Sequence, residues 1–345
     1  MSFASNAVIA KARAVCGHSL TAEDYTQLTA KESVADVCAY LKQTERYGRA
    51  LSSVNPQTVH RGQLETLLRK SLFDIFERFH SFDQTKSREF FNFIVTQLEI
   101  EQVLSALQSV ASGVSMSYIA ALPVFLTEHS GLELGRLGMA KSYAEAAALL
   151  RGTRYEKTVC PALVEAESAG TLNIGEIERR LYTEFYLNML KNAEKEYKGA
   201  EKKDLKRLIL GVIDMRNVVT LFRCARLFGI PADDAKGALL PFKRRLSDET
   251  IERLAAESDI GKIAAELDSL GYGLNSQNIP ATVELLTDRI SLNDLKKKLR
   301  LSQSSTVVYF AFVELLGFEL KNIKTIIEGI RYGLDGAQIL EMLVV

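Results

Sequence analysis

Apolar positions along this chain recur mostly at steps of three and four residues, the spacing that lines one face of an α-helix. Leu205, Leu208, Ile209, Val212, Met215, Val219 and Phe222 predict one such helix. Val307, Phe310, Ala311, Glu314, Phe318, Ile323, Ile326 and Ile327 predict another. No segment sustains the apolar–polar alternation of a strand between hairpin turn residues, so the expected fold class is all-α. Between two core helices, Lys191 to Arg207 (KNAEKEYKGAEKKDLKR) reads as a charged, solvated loop or helix edge.

The pattern repeats three times. A helix running into a tyrosine is predicted over Val34–Tyr47, Tyr143–Tyr155 and Ile260–Tyr272. The first two share Leu-x-x-Thr before Arg-Tyr: Leu41, Thr44, Arg46, Tyr47 and Leu150, Thr153, Arg154, Tyr155. Leu20–Leu41 aligns without gaps on Leu246–Leu267, with six of 22 positions identical, and puts Thr21 and Ser247 at matching helix N-caps. A second marker is an acid followed three residues later by an amide: Glu99 and Gln102, Asp214 and Asn217, Glu319 and Asn322. Gly113, Gly229 and Gly333 lie eleven or twelve residues past these amides, where a left-handed glycine closes a helix. Tyrosines 47, 155 and 272 and amides 102, 217 and 322 step by 105 to 117 residues. That period is too long for two-helix solenoid units, so each copy is a small helical domain: residues 1–118, 119–232 and 233–345.

Composition narrows the partners. With 43 basic and 43 acidic side chains the chain is neutral, which argues against nucleic acid as a ligand. Lys296, Lys297, Lys298 and Arg300 read as a solvated helix face. Cys16, Cys38, Cys160 and Cys224 have no metal-like spacing and are expected to be small buried thiols of a cytosolic protein, although spacing alone leaves disulfides open. The N-terminal residues lack the basic start and apolar core of a signal peptide. Gln102–Thr127 has no charge over 26 positions, but five serines, Gly113 and Pro123 dilute it, so it is expected to be a buried helix end and a turn instead of a membrane span.

Candidate chemistry is sparse. There is no phosphate-binding glycine loop, and Gly131, Gly135 and Gly138, interleaved with Leu132, Leu134 and Leu137, suggest a packed turn. His18, His60, His80 and His129 lack zinc-site spacing. No catalytic, cofactor-binding or metal residues are assigned. The acid–amide pairs put two polar groups on one helix face. They serve either as contacts to a partner or as hydrogen-bonded ties to a neighbouring element, and their recurrence in every copy favours ties. Arg216, Arg223 and Arg226 are expected to complete ion pairs beside Asp214.

The order and spacing of these motifs resemble the C subunit of V-type ATPases, the archaeal and bacterial A/V-type ATP synthases included, whose eukaryotic counterpart is called the d subunit. The likeness covers essentially the whole chain. It is strongest at Thr44–Leu51 (TERYGRAL), Asp214–Arg223 and the C-terminal stretch Glu319-x-x-Asn322-Ile323-x-x-Ile326-Ile327-x-Gly329-Ile330-Arg331-x-Gly333. The resemblance implies a funnel of three helical domains with pseudo-threefold symmetry, peripheral on the cytoplasmic face of the membrane. It further implies a non-catalytic rotor subunit that joins the central stalk, subunits D and F, to the ring of proteolipid subunits. Torque would pass through it between ATP hydrolysis or synthesis and proton or sodium transport; which ion moves is written in the ring itself. A helical adaptor outside such an enzyme, or a hydrolase whose site is assembled from distant residues, stays open on the residues alone.

Overall fold

The computed structural model describes residues 3–80, 92–113, 126, 129–273 and 279–345. Among them are sixteen α-helices and no strand. In chain order these are α1 (Phe3–Gly17), α2 (Ala22–Thr29), α3 (Val34–Gln43), α4 (Arg61–His80), α5 (Phe93–Ser112), α6 (Leu134–Leu137), α7 (Tyr143–Leu150) and α8 (Glu156–Ala169). Then follow α9 (Ile174–Glu196), α10 (Gly199–Arg226), α11 (Ala232–Gly237), α12 (Asp248–Ala256), α13 (Ile260–Ser269), α14 (Val283–Leu301), α15 (Ser305–Arg331) and α16 (Gly336–Glu341). The expected domain junction at 118/119, most of the uncharged segment after Gly113 and the His80 side chain lie outside the described residues.

Local chemistry sets the helix ends. The Thr21 hydroxyl accepts from the Asp24 N–H, and the Asp24 carboxylate accepts from the Thr21 N–H at 2.7 Å, a reciprocal capping box. Ser247 caps α12 by accepting from the Thr250 N–H. Gly113, Gly229 and Gly333 have φ of 64°, 63° and 70°, the left-handed region that stops a helix without a Cβ clash. The marker tyrosines differ from expectation, because α3, α7 and α13 end before reaching them. In the first two, the Leu-x-x-Thr motif explains the stop. The Thr44 hydroxyl donates to the Leu41 carbonyl at 2.7 Å and Thr153 to Leu150 at 2.6 Å, so the threonine takes a carbonyl that the next helical turn would need. Lys191–Arg207 is almost entirely helical, broken only at Tyr197–Lys198.

The chain forms two compact units, one of Met1–Thr85 with Lys198–Val345 and the other of Lys86–Tyr197. In the first, α14 runs antiparallel to α10: Lys298 pairs with Asp204 at one end and Arg223 with Glu284 at the other. α15 turns back along α14 and also packs against α1, α3 and α4. One core of this unit joins Met215, Val218 and Leu221 of α10 to Leu246, Leu254, Leu267 and Tyr272. Another joins Leu28, Leu41 and Tyr47 from the start of the chain to Ile323, Ile326, Ile339 and Leu343 from its end. Of the face predicted for α10, Leu205, Leu208, Ile209 and Met215 are buried, but Val212, Val219 and Phe222 are only partly so. Ile213, Val218 and Leu221 are buried beside them, so the buried face is rotated from the expected one. α15 is buried on all sides from Thr306 to Val313.

The second unit packs α5 against α9 and α6, with α7 and α8 paired beside them. Leu132, Leu134 and Leu137 are buried, so the glycine cluster is packed as its leucines suggested, but around the one-turn helix α6 instead of a plain turn.

Candidate functional site

The repeated markers meet as three interior ties, each centred on a carboxylate carried by a long helix. On α15, Glu319 accepts from the Tyr47 hydroxyl at 2.6 Å and from the Leu20 N–H at 2.9 Å. On α5, Glu99 accepts from the Tyr155 hydroxyl at 2.7 Å and from the Ser130 hydroxyl at 2.7 Å. On α10, Asp214 accepts from the Tyr272 hydroxyl and from the backbone N–H groups of Arg244, at 3.0 Å, and Arg245, at 2.9 Å. All three carboxylates and all three tyrosines are buried. A carboxylate removed from water needs such donors, because an unpaired buried charge costs several kcal/mol, on the order of what a whole domain holds in reserve.

The pairing follows a rule invisible in the spacing. Each acid takes the tyrosine of the next copy along the chain: Glu99 with Tyr155, Asp214 with Tyr272. The third acid returns to the first tyrosine, Glu319 with Tyr47, across 272 residues of sequence. The amides act in parallel. Asn217 accepts from the Leu240 N–H at 2.8 Å and donates to the Leu240 carbonyl at 3.1 Å. Asn322 makes the same two bonds, both at 2.8 Å, to Val344. Leu240 and Val344 each follow the short helix after a long one, α11 and α16, by three residues. Gln102 is half-buried.

Two of the three arginines depart from expectation. Arg223 pairs with Glu284, and Arg226 donates to carbonyls of Ala255 and Glu257, so neither serves Asp214. Copy three has Gly271 where the others have Arg46 and Arg154. Arg245 fills the gap: its guanidinium donates to the Leu270 carbonyl and lies 5.5 Å from the Tyr272 ring centroid. A Cβ on Gly271 would collide with that guanidinium, and at φ 77° the position already favours glycine. A missing Arg-Tyr dipeptide gave no sequence signal that an arginine 26 residues earlier would substitute.

The electrostatics match interior struts. Burial pushes the Asp214 carboxyl above its usual range, against the opposing pull of the Tyr272 hydroxyl and the Arg244 and Arg245 N–H groups. Burial, then the Glu319 charge, holds the Tyr47 hydroxyl well above an ordinary phenol, so it stays a donor at any physiological pH. Tyr155 and Tyr272 are raised for the same reasons, by burial and by Glu99 and Asp214. All four cysteines are free thiols; Cys38 and Cys224 are buried, whereas Cys16 and Cys160 are only partly so. Lys296, Lys297 and Arg300 face solvent, and Lys298 is half-buried against Asp204. Among the described residues no group of His, Cys, Asp and Glu is placed to hold a metal ion, and no helix is long and apolar enough to cross a membrane.

Two comparisons bear on this arrangement. A family model described as ATP synthase (C/AC39) subunit matches residues 8–342. The chain is also 23% identical over 255 residues to a protein of Thermococcus gammatolerans named as the C subunit of an A-type ATP synthase, a match covering 74% of this chain and 64% of that relative. The matched part is thus just under two thirds of the relative's length.

Proposed function

The chain belongs to the ATP synthase (C/AC39) subunit family, and from that membership we propose that it is the non-catalytic rotor subunit of an A/V-type ATPase. In this reading it sits on the cytoplasmic side of the membrane, receives the central stalk of subunits D and F, and seats it on the proteolipid ring. Its three helical domains, residues 1–118, 119–232 and 233–345, form a funnel with pseudo-threefold symmetry. The observation that carries the reading is the family match over residues 8–342.

The ties support it physically. A part that passes torque needs stiffness more than titratable groups at a surface. Glu99, Asp214 and Glu319 are consumed by interior hydrogen bonds that join distant segments of chain. Charge-assisted bonds of this kind are short and about twice as strong as neutral ones.

The test is to prepare the assembled enzyme in vesicles with and without this chain. Without it, ATP hydrolysis by the soluble head continues while ion pumping is lost, because the stalk turns without gripping the ring. The purified chain alone hydrolyses no ATP and binds a D–F complex. Normal pumping in a preparation shown to lack this chain overturns the proposal.

A further inference from the structure

A cleft of about 500 Å³ opens between the end of α1, the turn at 45–53 and one face of α4. That volume is in the range of small-molecule sites, roughly 300–1,000 Å³. Four cationic side chains line it, Arg46, Arg49, Lys70 and Arg78, against the two carboxylates Glu45 and Asp74. Glu45 is already engaged by His18, Nδ1 to Oε2 at 2.8 Å. Lys70, Asp74 and Arg78 follow one another at four-residue steps and so share a face of α4.

The second observation is Arg46. Its side chain is 3% exposed. Nε lies 2.8 Å from Glu319 Oε1, and Nη1 donates to the Val15 carbonyl and the Ser19 hydroxyl. Nη2 has no hydrogen-bond partner among the described residues, and Nε, though in ion-pair contact with Glu319, does not make a hydrogen bond to it either. A guanidinium N–H buried without an acceptor is costly, and an oxyanion at the cleft's inner end would supply one. Across the cleft mouth, Arg49 and Lys70 are exposed and make no ion pair among the described residues. Val15, Leu67 and Ile75 give the remaining wall an apolar character.

We propose that this cleft is a binding site for a phosphate-bearing anion, with Arg46 at its base and Arg49, Lys70 and Arg78 around its mouth. Several cations converging on one cavity suit a multiply charged group better than a single carboxylate, and guanidinium forks match phosphate oxygens. The apolar wall accommodates the organic part that carries the phosphate. The same chemistry occurs in a soluble phosphate ester and in an anionic lipid headgroup. The inference stands on this cleft alone and does not depend on the rotor reading.

The full chain is titrated calorimetrically with pyrophosphate at low salt, and floated with vesicles of phosphatidylcholine with and without phosphatidic acid. Arg49→Glu and Lys70→Glu are the variants, chosen because both side chains are exposed and reversal leaves the fold intact; an unchanged melting temperature verifies this. Pyrophosphate binding that each variant weakens about tenfold or more, the loss of one charge-assisted bond, assigns the site to a soluble phosphate. Flotation that requires phosphatidic acid, is released by pyrophosphate and is lost in both variants assigns it to a headgroup. Failure of both probes to bind, or binding that both variants retain at parental strength, overturns the proposal.

Discussion

The ties at Glu319 and Glu99 share a glutamate, a tyrosine and the arginine before it, but their second donors differ, the Leu20 N–H in one and the Ser130 hydroxyl in the other, and so do the surroundings of the arginine. Both carboxylates receive a tyrosine hydroxyl, and both tyrosines follow an arginine. Arg46 is 3% exposed and reaches Glu319 at 2.8 Å. Arg154 is 60% exposed and stands 3.9 Å from Glu99, donating instead to the Thr96 hydroxyl at 2.8 Å. The end of α1 makes the difference, because the Val15 carbonyl and the Ser19 hydroxyl hold Arg46 inside. One Arg-Tyr dipeptide therefore makes a buried ion pair in one place and a solvated surface contact in the other. Burial, not residue type, sets what each is worth.

The comparison breaks most readily at Glu319. Glu319→Ala strands a buried guanidinium, and urea unfolding should show a loss of about 3–5 kcal/mol. Combining Arg46→Met with Glu319→Leu should recover much of that loss, because the stranded charge is gone. A loss below about 1 kcal/mol for the single variant would mean that Arg46 finds water instead. Next in size are the amides. Asn217→Leu and Asn322→Leu each leave a backbone N–H and carbonyl unpaired and should cost about 1–3 kcal/mol. Similar midpoint shifts for the two would show that the ties are energetically equivalent, and an unchanged midpoint for either would put that amide in contact with solvent.

Arg154→Ala should cost about 0–1 kcal/mol, less at high salt, since the side chain is mostly solvated. A loss matching that of Arg46→Ala would erase the distinction drawn between the two ties. The smallest effect concerns pH. Burial raises the Asp214 carboxyl, so its ionisable contribution to stability is fully present below the unfolded value of about 3.9 and is lost as pH rises through the higher folded value. The melting temperature of the parent relative to Asp214→Asn should therefore be higher near about pH 3 than near about pH 7. The opposite slope would mean that the Tyr272 hydroxyl and the Arg244 and Arg245 N–H groups outweigh burial.

Much of the local structure was legible. Thr21 and Ser247 cap helices because a hydroxyl beside a free N–H is a neighbourhood matter, settled within three residues. Gly113, Gly229 and Gly333 close helices for the same kind of reason. The helix ends before Tyr47 and Tyr155 leave no mark on the apolar spacing, because each is set by a threonine whose bond to the carbonyl three residues back competes with continuation. Arg245 in place of an Arg46 counterpart was not legible, since nothing local joins residue 245 to the glycine at 271.

The sequence by itself determined the helical class and the caps, because these depend on spacing within a few turns of chain, and it displayed the threefold recurrence of tyrosine, acid and amide, because a repeat is read from residue identities alone. It also carried enough pattern for the family resemblance. Only the tertiary structure decided that each acid takes the tyrosine of the following copy, and that Glu319 near the end of the chain takes Tyr47 near its beginning. Tyrosines and acids recur with the same period, so any register between the two series fits the sequence equally well. The choice falls to packing: a buried carboxylate must be met by whatever donors the neighbouring helices bring within about 3 Å, and that neighbour is fixed by the shape of the core, not by distance along the chain.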